Sequence, residues 1–428
     1  MTKNEFINTL YTNDNLFILH GMNSNLVDLI YLDPPFNSKR TYSAPIGSKA
    51  AGASFKDMWT WKDVNEAYLE KLADKYPSLT KFIVSIGGIH SKAMMAYLTY
   101  MAQRFIEMHR ILKDTGSLYL HCDPTASHYL KILLDEIFGK NCFRNEIVWD
   151  YSFRLMDLKK FFNRKHDIIL FYSKSNENQF LMPKTEWTRE DLVTSRKQKI
   201  HVGDDGEEWI WMPGGRGRSK SKMRRVDEII QGGKAISDVW SMPIISSSSK
   251  ERTGYPTQKP LALLHRIIKA SSNEGDIVLD PFCGCATTCV AAQQLGRKWI
   301  GIDIEKQAAG VLVERLSNDA GLFKDFVNTD IVPKRTDIVE ELPSTSVKKS
   351  LYKEQNGLCN ACGTKFDVWN LEIDHVIPKA KGGGDYYENY QLLCASCNKI
   401  KGNRPMEYLR LKIKTREEML ENKIVFGE

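Results

Sequence analysis

Val27-Asp28-Leu29-Ile30-Tyr31-Leu32-Asp33-Pro34-Pro35-Phe36 is a short apolar run stopped by a turn, and its reading decides the fold. A run of that length reads as a strand buried on both faces, the habit of a parallel sheet. Chemistry in such sheets gathers in the loops at the carboxyl ends of the strands. This loop offers one carboxylate, backbone carbonyls fixed by two prolines, and an aromatic face. Those parts suit an amino group on a flat ring: two N–H donors need two acceptors, and the ring needs a surface to stack on.

The flanking sequence repeats the alternation. Ser91 to Lys113 carries Met94, Leu98, Met101, Phe105, Met108 and Leu112 at helical spacing, and Asp114-Thr115-Gly116 is expected to turn the chain into a strand from Ser117 to Cys122. Pro124 opens a helix expected to close at Gly139, and strands are expected over 145–149 and 167–172. Residues 176–254 break the pattern. It returns with a helix over 261–272 behind Pro260, a strand over 277–279, a helix over 287–295 and a strand over 299–302. Strands alternating with helices predict a Rossmann-like, doubly wound α/β sheet.

The 428 residues allow two or three domains, and the net charge of +7 fits a nucleic-acid partner without demanding one. No run reaches membrane-spanning length and the amino terminus has no secretory core, so a cytoplasmic protein is expected, with no membrane partner. Nine cysteines are odd for disulfides in a reducing compartment, and four of them form two C-x-x-C pairs, which points to metal. Between Gly214 and Arg225 lie six positive charges and no acid; a phosphate-contacting loop and a solvated loop both fit that stretch.

A second motif, Asp280-Pro281-Phe282-Cys283-Gly284-Cys285-Ala286-Thr287-Thr288, joins a strand to a helix, and Asp303 ends the next strand 19 residues after Gly284. A small-residue turn into a helix, followed by an acid, is how α/β folds hold a nucleoside: backbone approaches at the turn and the acid takes the ribose hydroxyls. The full G-x-G-x-x-G is missing, which argues against a dinucleotide. Together with the Asp-Pro-Pro-Phe loop, this pattern resembles the amino-group DNA methyltransferases over residues 1 to 330, in the motif order of the β-group. The resemblance implies S-adenosylmethionine as cofactor and double-stranded DNA as substrate. It makes Asp33, Pro34, Pro35 and Phe36 catalytic, and implies that Asp280, Phe282, Gly284 and Asp303 hold the cofactor. Asp14 would lie near its adenine; Thr257 and Lys259, in Tyr255-Pro256-Thr257-Gln258-Lys259-Pro260, would lie beside its methionine tail. Arg164 to Tyr172 resembles a further framework segment.

By that chemistry Asp33 and the Pro34 carbonyl would accept the two amino N–H bonds, and Phe36 would stack on an extruded base. Asp at the first loop position favours adenine N6 over cytosine N4, with cytosine kept as the alternative. Carbon-5 methylation, which uses a cysteine after proline, is excluded because the chain has no Pro-Cys pair. The family's third glycine is Ala286, whose methyl is expected to crowd the backbone approach. His121-Cys122-Asp123 reads better as a strand end than as a metal or nucleophile cluster, and Cys283, Cys285 and Cys289 read as packing residues. Alone, Asp33 would be a turn carboxylate and Phe36 a core aromatic.

Cys359-x-x-Cys362 and Cys394-x-x-Cys397 have the spacing of a structural zinc site with four thiolates. Between and after them lie Asp374-His375, Gly382-Gly383-Gly384, Asn389 and Asn398, and the whole module resembles the HNH (ββα-metal) nucleases. The resemblance makes His375 the general base, gives Asp374 and Asn398 a catalytic Mg²⁺, and assigns Asn389 to orienting the loop. His375 is the only histidine after His265. The expected organisation is a methyltransferase domain over 1–335 with target recognition at 176–254, a linker at 336–347 and an HNH domain over 348–428. Three functions compete: a methyltransferase that also cuts DNA, of restriction-modification type; a solitary methyltransferase whose zinc module only binds DNA; and a DNA-binding protein without either activity. β-group enzymes often dimerise, so a homodimer is the assembly the resemblance allows.

Overall fold

Four adjacent parallel strands aim their carboxyl ends at one edge of a nine-stranded sheet, and that edge carries both loop motifs. The computed structural model describes residues 8–36, 40–43, 48, 54–57, 72–73, 76–152, 155–196, 199–212, 222–305, 310–312, 315, 326–337, 344–381, 383–385, 387–404, 406, 408–410 and 412–413. In chain order the strands of the sheet are β1 (Thr9–Thr12), β2 (Val27–Leu32), β3 (Leu112–Cys122), β4 (Phe143–Asp150), β5 (His166–Ser173), β6 (Val239–Ser241), β7 (Ile277–Asp280), β8 (Lys298–Asp303) and β9 (Val327–Thr329). Across the sheet they run β6-β4-β5-β3-β2-β7-β8-β1-β9. Only β5 opposes its neighbours, pairing antiparallel with β3 and β4. The order reverses between β2 and β7, the kind of switch point where open α/β sheets hold ligands.

The apolar run of β2 serves two cores. Ile30 and Leu32 pack with Met94, Leu98, Met101 and Phe105 of the helix Lys92–Ile111, whereas Leu29 and Tyr31 pack with Leu263, Leu264 and Ile267 of the helix Leu261–Ser271. Burying each such side chain contributes about 1.5–3 kcal/mol, so a run with no polar face is stable only where helices cover both sides. Ser91 caps the first of these helices, accepting from the Met94 amide at 3.1 Å.

Three sequence expectations need correction. Asp114-Thr115-Gly116 lies within one extended strand, because Val27 pairs with Leu112 before a register shift brings Leu29 against Ser117. The region 176–254 is not wholly separate from the sheet: Val239–Ser241 returns as edge strand β6, parallel to β4, with Trp240 buried. The rest of that insertion holds a three-stranded antiparallel sheet (His201–Val202, Glu208–Met212, Lys222–Arg225) and its own small core of Trp187, Leu192, Ile210, Val226 and Ile229. Of the basic stretch, residues 213–221 lie outside the described residues. Lastly, the expected linker 336–347 overlaps a helix, Thr345–Glu354, capped by Ser344 and packed through Val347 and Leu351 into the core of the following module.

That module pairs two antiparallel strands, β10 (Leu371–His375) and β11 (Tyr390–Cys394), and follows them with the helix Ala395–Lys401. Among the described residues, no helix is long and apolar enough to cross a membrane.

Candidate active sites

The carboxyl ends of β1, β8, β7 and β2 open into one cavity of about 580 Å³. Asp14 reaches it from behind β1, Asp33, Pro34, Pro35 and Phe36 from β2, Asp280, Phe282 and Gly284 from β7, and Asp303 from β8; Thr257 and Lys259 close it from the segment before Pro260. The structure therefore brings together all eleven residues that the sequence assigns to methyl transfer.

The Lys259 ammonium donates to Asp33 Oδ2 and, at 3.2 Å, to the Thr257 carbonyl. Asp33 Oδ1 is buried and, among the described residues, has no hydrogen-bond partner. Such an orphaned acceptor costs about 1–3 kcal/mol, and in native structures it marks a place where a donor is expected. Phe36 lies stacked on His121, with ring centroids 6.1 Å apart and planes 19° apart. His121 does close β3, as its sequence position predicts, but its fully buried side chain also backs the loop. One ring nitrogen meets the Tyr31 hydroxyl and the other Asp167 Oδ2, each at 3.0 Å, while Tyr151 donates to Asp167 Oδ1 at 3.1 Å. Burial pushes the Asp167 carboxyl up, yet the His121 hydrogen bond and charge, with Lys259 and Tyr151, hold it below the usual carboxylate range.

On the other side of the cavity, Asp280 accepts from the Phe282 amide at 3.0 Å and the Thr288 hydroxyl at 2.5 Å. Its carboxyl is nevertheless pushed up to about 7, foremost by burial and further by Asp33. Asp303 accepts from the amides of Gly284 and Glu305, both at 2.8 Å, and burial raises it to about 6. Asp14 caps the helix Asn15–Gly21 and takes the Arg104 guanidinium at 2.9 Å. Arg104 also holds Asn15 and lies over the Tyr100 ring, so a buried cation fixes this corner. Gly284 has φ +49, and a Cβ there would meet Tyr255 at 3.0 Å. Ala286 corrects the expectation of crowding: it too is left-handed (φ 57°), but its methyl is fully buried in the core and the residue does not line the cavity. Five non-glycine residues among those described have positive φ. Three are asparagines, which tolerate it; the other two, Thr257 and Ala286, lie in loops of this cavity. Strain of this kind collects at ligand sites. Cys283, Cys285 and Cys289 are buried, as packing residues should be.

In the carboxyl-terminal module the ligand atoms of Cys359, Cys362, Cys394 and Cys397 lie within 4.8 Å of one another. Asn389 clamps the loop between β10 and β11, accepting from the Ile377 amide at 2.8 Å and donating to the carbonyls of Ile377 and Gly384. His375 Nε2 meets Asp385 Oδ1 at 2.8 Å, and Asp385 also takes Lys379 and the Tyr390 hydroxyl. Asp374 and Asn398 have separate partners. Asp374 Oδ2 accepts from Gln391 at 2.7 Å and pairs with the fully buried Lys401 at 3.0 Å, while Asn398 donates to Glu372 at 2.6 Å.

Sequence reasoning missed four supports: Arg104, Asp167, Glu305 and Asp385. Arg104 had a signal, being a charge on the apolar stripe between Met101 and Met108. Asp385 had none, since it lies ten residues from His375 in no motif.

A family model described as DNA methylase matches residues 27–314, and one described as HNH endonuclease matches residues 359–404. The type II methyltransferase M.EcaI of Enterobacter cloacae is 32% identical over 59% of this chain and 64% of its own length. The type II methyltransferase M.BamHI of Bacillus amyloliquefaciens is 30% identical over 72% of this chain and 57% of its own. This chain thus spans about six tenths of those two relatives. The DNA adenine methyltransferase YhdJ of Escherichia coli (strain K12) is 26% identical over 72% of this chain and 82% of its own length. Because the first model matches well over half of the chain, this protein belongs to the DNA methylase family, with an HNH endonuclease segment behind its methylase region.

Proposed function

We propose that the chain transfers a methyl group from S-adenosylmethionine to the exocyclic amino group of a base in double-stranded DNA, with adenine N6 the favoured acceptor. The observation that carries this reading is the buried Asp33 Oδ1 in the cavity wall, which has no partner among the described residues. Asp33 takes one amino N–H there, the Pro34 carbonyl takes the second, and the nitrogen lone pair is drawn out of conjugation with the ring. Phe36, backed by His121, stacks on the base. Lys259 holds the Asp33 carboxyl in place through its ion pair. Bound S-adenosylmethionine supplies the methyl on a sulfonium cation; Asp14, Asp280, Asp303 and Glu305 make the cavity acidic enough to suit it, and about 580 Å³ lies within the range of cofactor sites. The aspartate at the first loop position and the name of the Escherichia coli relative favour adenine; cytosine N4 is the alternative. Long-read sequencing of DNA incubated with wild-type protein and with Asp33→Ala tests this. Marks are expected from the wild type alone, while calorimetry finds cofactor bound to both; marks made by the variant refute it.

The module from Ser344 onward is proposed to fold around one zinc ion held by Cys359, Cys362, Cys394 and Cys397, because four clustered thiolates suit tetrahedral Zn²⁺. Its proposed activity is DNA cleavage, with His375 as general base and the hard oxygens of Asp374 and Asn398 offered to Mg²⁺. A second reading, a zinc module that only binds DNA, is favoured by one contact: Lys401 already places a positive charge on Asp374. His375→Ala separates them. It should abolish Mg²⁺-dependent cleavage and spare methylation; unchanged cutting in the variant sinks the nuclease assignment.

A further inference from the structure

The segment between β4 and β5 presents an apolar and basic tip that the proposed chemistry leaves unused. β4 runs parallel to β2, because β2 is parallel to β3 and both β3 and β4 run antiparallel to β5. The loop leaving β4 therefore rises at the same edge of the sheet as Asp33. Its stem is tied to the wall behind Phe36: Tyr151 takes a backbone bond from its amide to the Lys165 carbonyl at 3.0 Å and gives its hydroxyl to Asp167, the partner of His121. Its tip is held in shape as well, since Asn163 bonds the Met156 amide at 3.0 Å and the Met156 carbonyl at 2.7 Å. Arg164 lies over the Phe161 ring. Phe162 is 95% exposed, an unusual position for a phenylalanine on a preformed loop.

Among the described residues of this segment Lys159, Lys160, Arg164 and Lys165 are basic and Asp157 is acidic, so the face around the tip complements a phosphate backbone rather than an acidic protein surface. A base turned out of a duplex leaves a gap, and enzymes that bend or open DNA fill such gaps with apolar side chains. We propose that Phe162 is a wedge that enters the duplex at the target site and occupies the place of the extruded base, while the basic residues beside it hold the flanking phosphates. This rests on the methyl-transfer reading of the Asp33 cavity. Phe162 acts on the DNA before transfer and touches neither cofactor nor the accepting nitrogen.

The test uses the full chain and a short duplex carrying the site found by sequencing, either fully paired or with an abasic position opposite the target base. An abasic partner removes the pairing that must be broken. Phe162→Ala should slow methyl transfer on the paired duplex by about ten- to a hundredfold, a few kcal/mol of lost opening energy. It should regain most of the wild-type rate on the abasic duplex, and Phe162→Trp should keep both rates. Because the side chain is exposed, neither variant should alter thermal unfolding. Equal rates for wild type and Phe162→Ala on paired DNA overturn the proposal, as does a loss that is the same on both duplexes. Wild-type protein that methylates neither duplex refutes the cavity reading itself, and the wedge with it.

Discussion

Two carboxyls in the cavity titrate near neutral pH, and the sign of their effect can be worked out. Asp280 sits at about 7 and Asp303 at about 6, both raised first by burial, against roughly 3.9 in an unfolded chain. The folded protein thus keeps protons that the unfolded chain has released. The stability these groups contribute is complete below about pH 4 and is lost as the pH rises through 6 to 7. Asp280→Asn cannot ionise, so its melting temperature minus that of the wild type should grow across that window; a difference that stays flat from pH 5 to 8 refutes the assignment. Binding a cation favours the ionised forms. Affinity for S-adenosylmethionine, relative to S-adenosylhomocysteine with its neutral sulfur, should therefore rise with pH over the same interval, read by calorimetry. Ala286 makes a separate prediction. Its left-handed backbone costs about 1–2 kcal/mol, against about 0.8 kcal/mol for a buried methyl, and that methyl faces the core. Ala286→Gly should leave stability nearly unchanged and cofactor affinity within about twofold, far from the 1.4 kcal/mol of a tenfold change.

At the scale of elements, the carboxyl-terminal module hangs on its cysteines and on one lysine. Its core is small, so stripping the proposed zinc with a chelator should expose it to protease and leave the proposed methyl transfer unaffected. Lys401 is fully buried, donates to the His375 carbonyl at 2.8 Å and neutralises Asp374. Lys401→Met leaves that carboxylate without its cation, a change that costs about 3–5 kcal/mol; zinc release to a chelator should accelerate, and an unchanged rate would show the pair to be dispensable. The elements differ in how legible they were. β2, β7 and β8 were readable because each is a continuous apolar run that ends in a motif. β1 and β6 were not: they are short, and only distant partners make them strands, as in Thr9 against Ile300 or Val239 against Val148. The cavity loops were legible because their chemistry is local in sequence. His121 with Asp167, and His375 with Asp385, were not, because each pair is assembled by pairing of strands or folding of a loop rather than by spacing.

For the whole molecule, the question is whether the mark made in one region governs what the other does. A methyl group on adenine N6 projects into the major groove, replaces a hydrogen-bond donor and adds apolar bulk where sequence is read. If one insertion, the unit built on Trp187, Leu192, Ile210, Val226 and Ile229, guides both activities, a marked site should no longer be recognised for cutting. Two variants separate the steps. On the proposed roles, His375→Ala should retain methyl transfer and supply marked DNA, and Asp33→Ala should retain cleavage and supply the challenge. With Mg²⁺ and zinc-loaded protein, Asp33→Ala should cut unmarked DNA and spare DNA first treated with His375→Ala and S-adenosylmethionine. Equal cutting of both substrates would separate the two activities and remove the restriction-modification reading, and no cutting of either would favour a module that only binds DNA. Protection confined to marked sites leaves one economical account: a single recognition surface, with Asp33 writing the signal that His375 is built to respect.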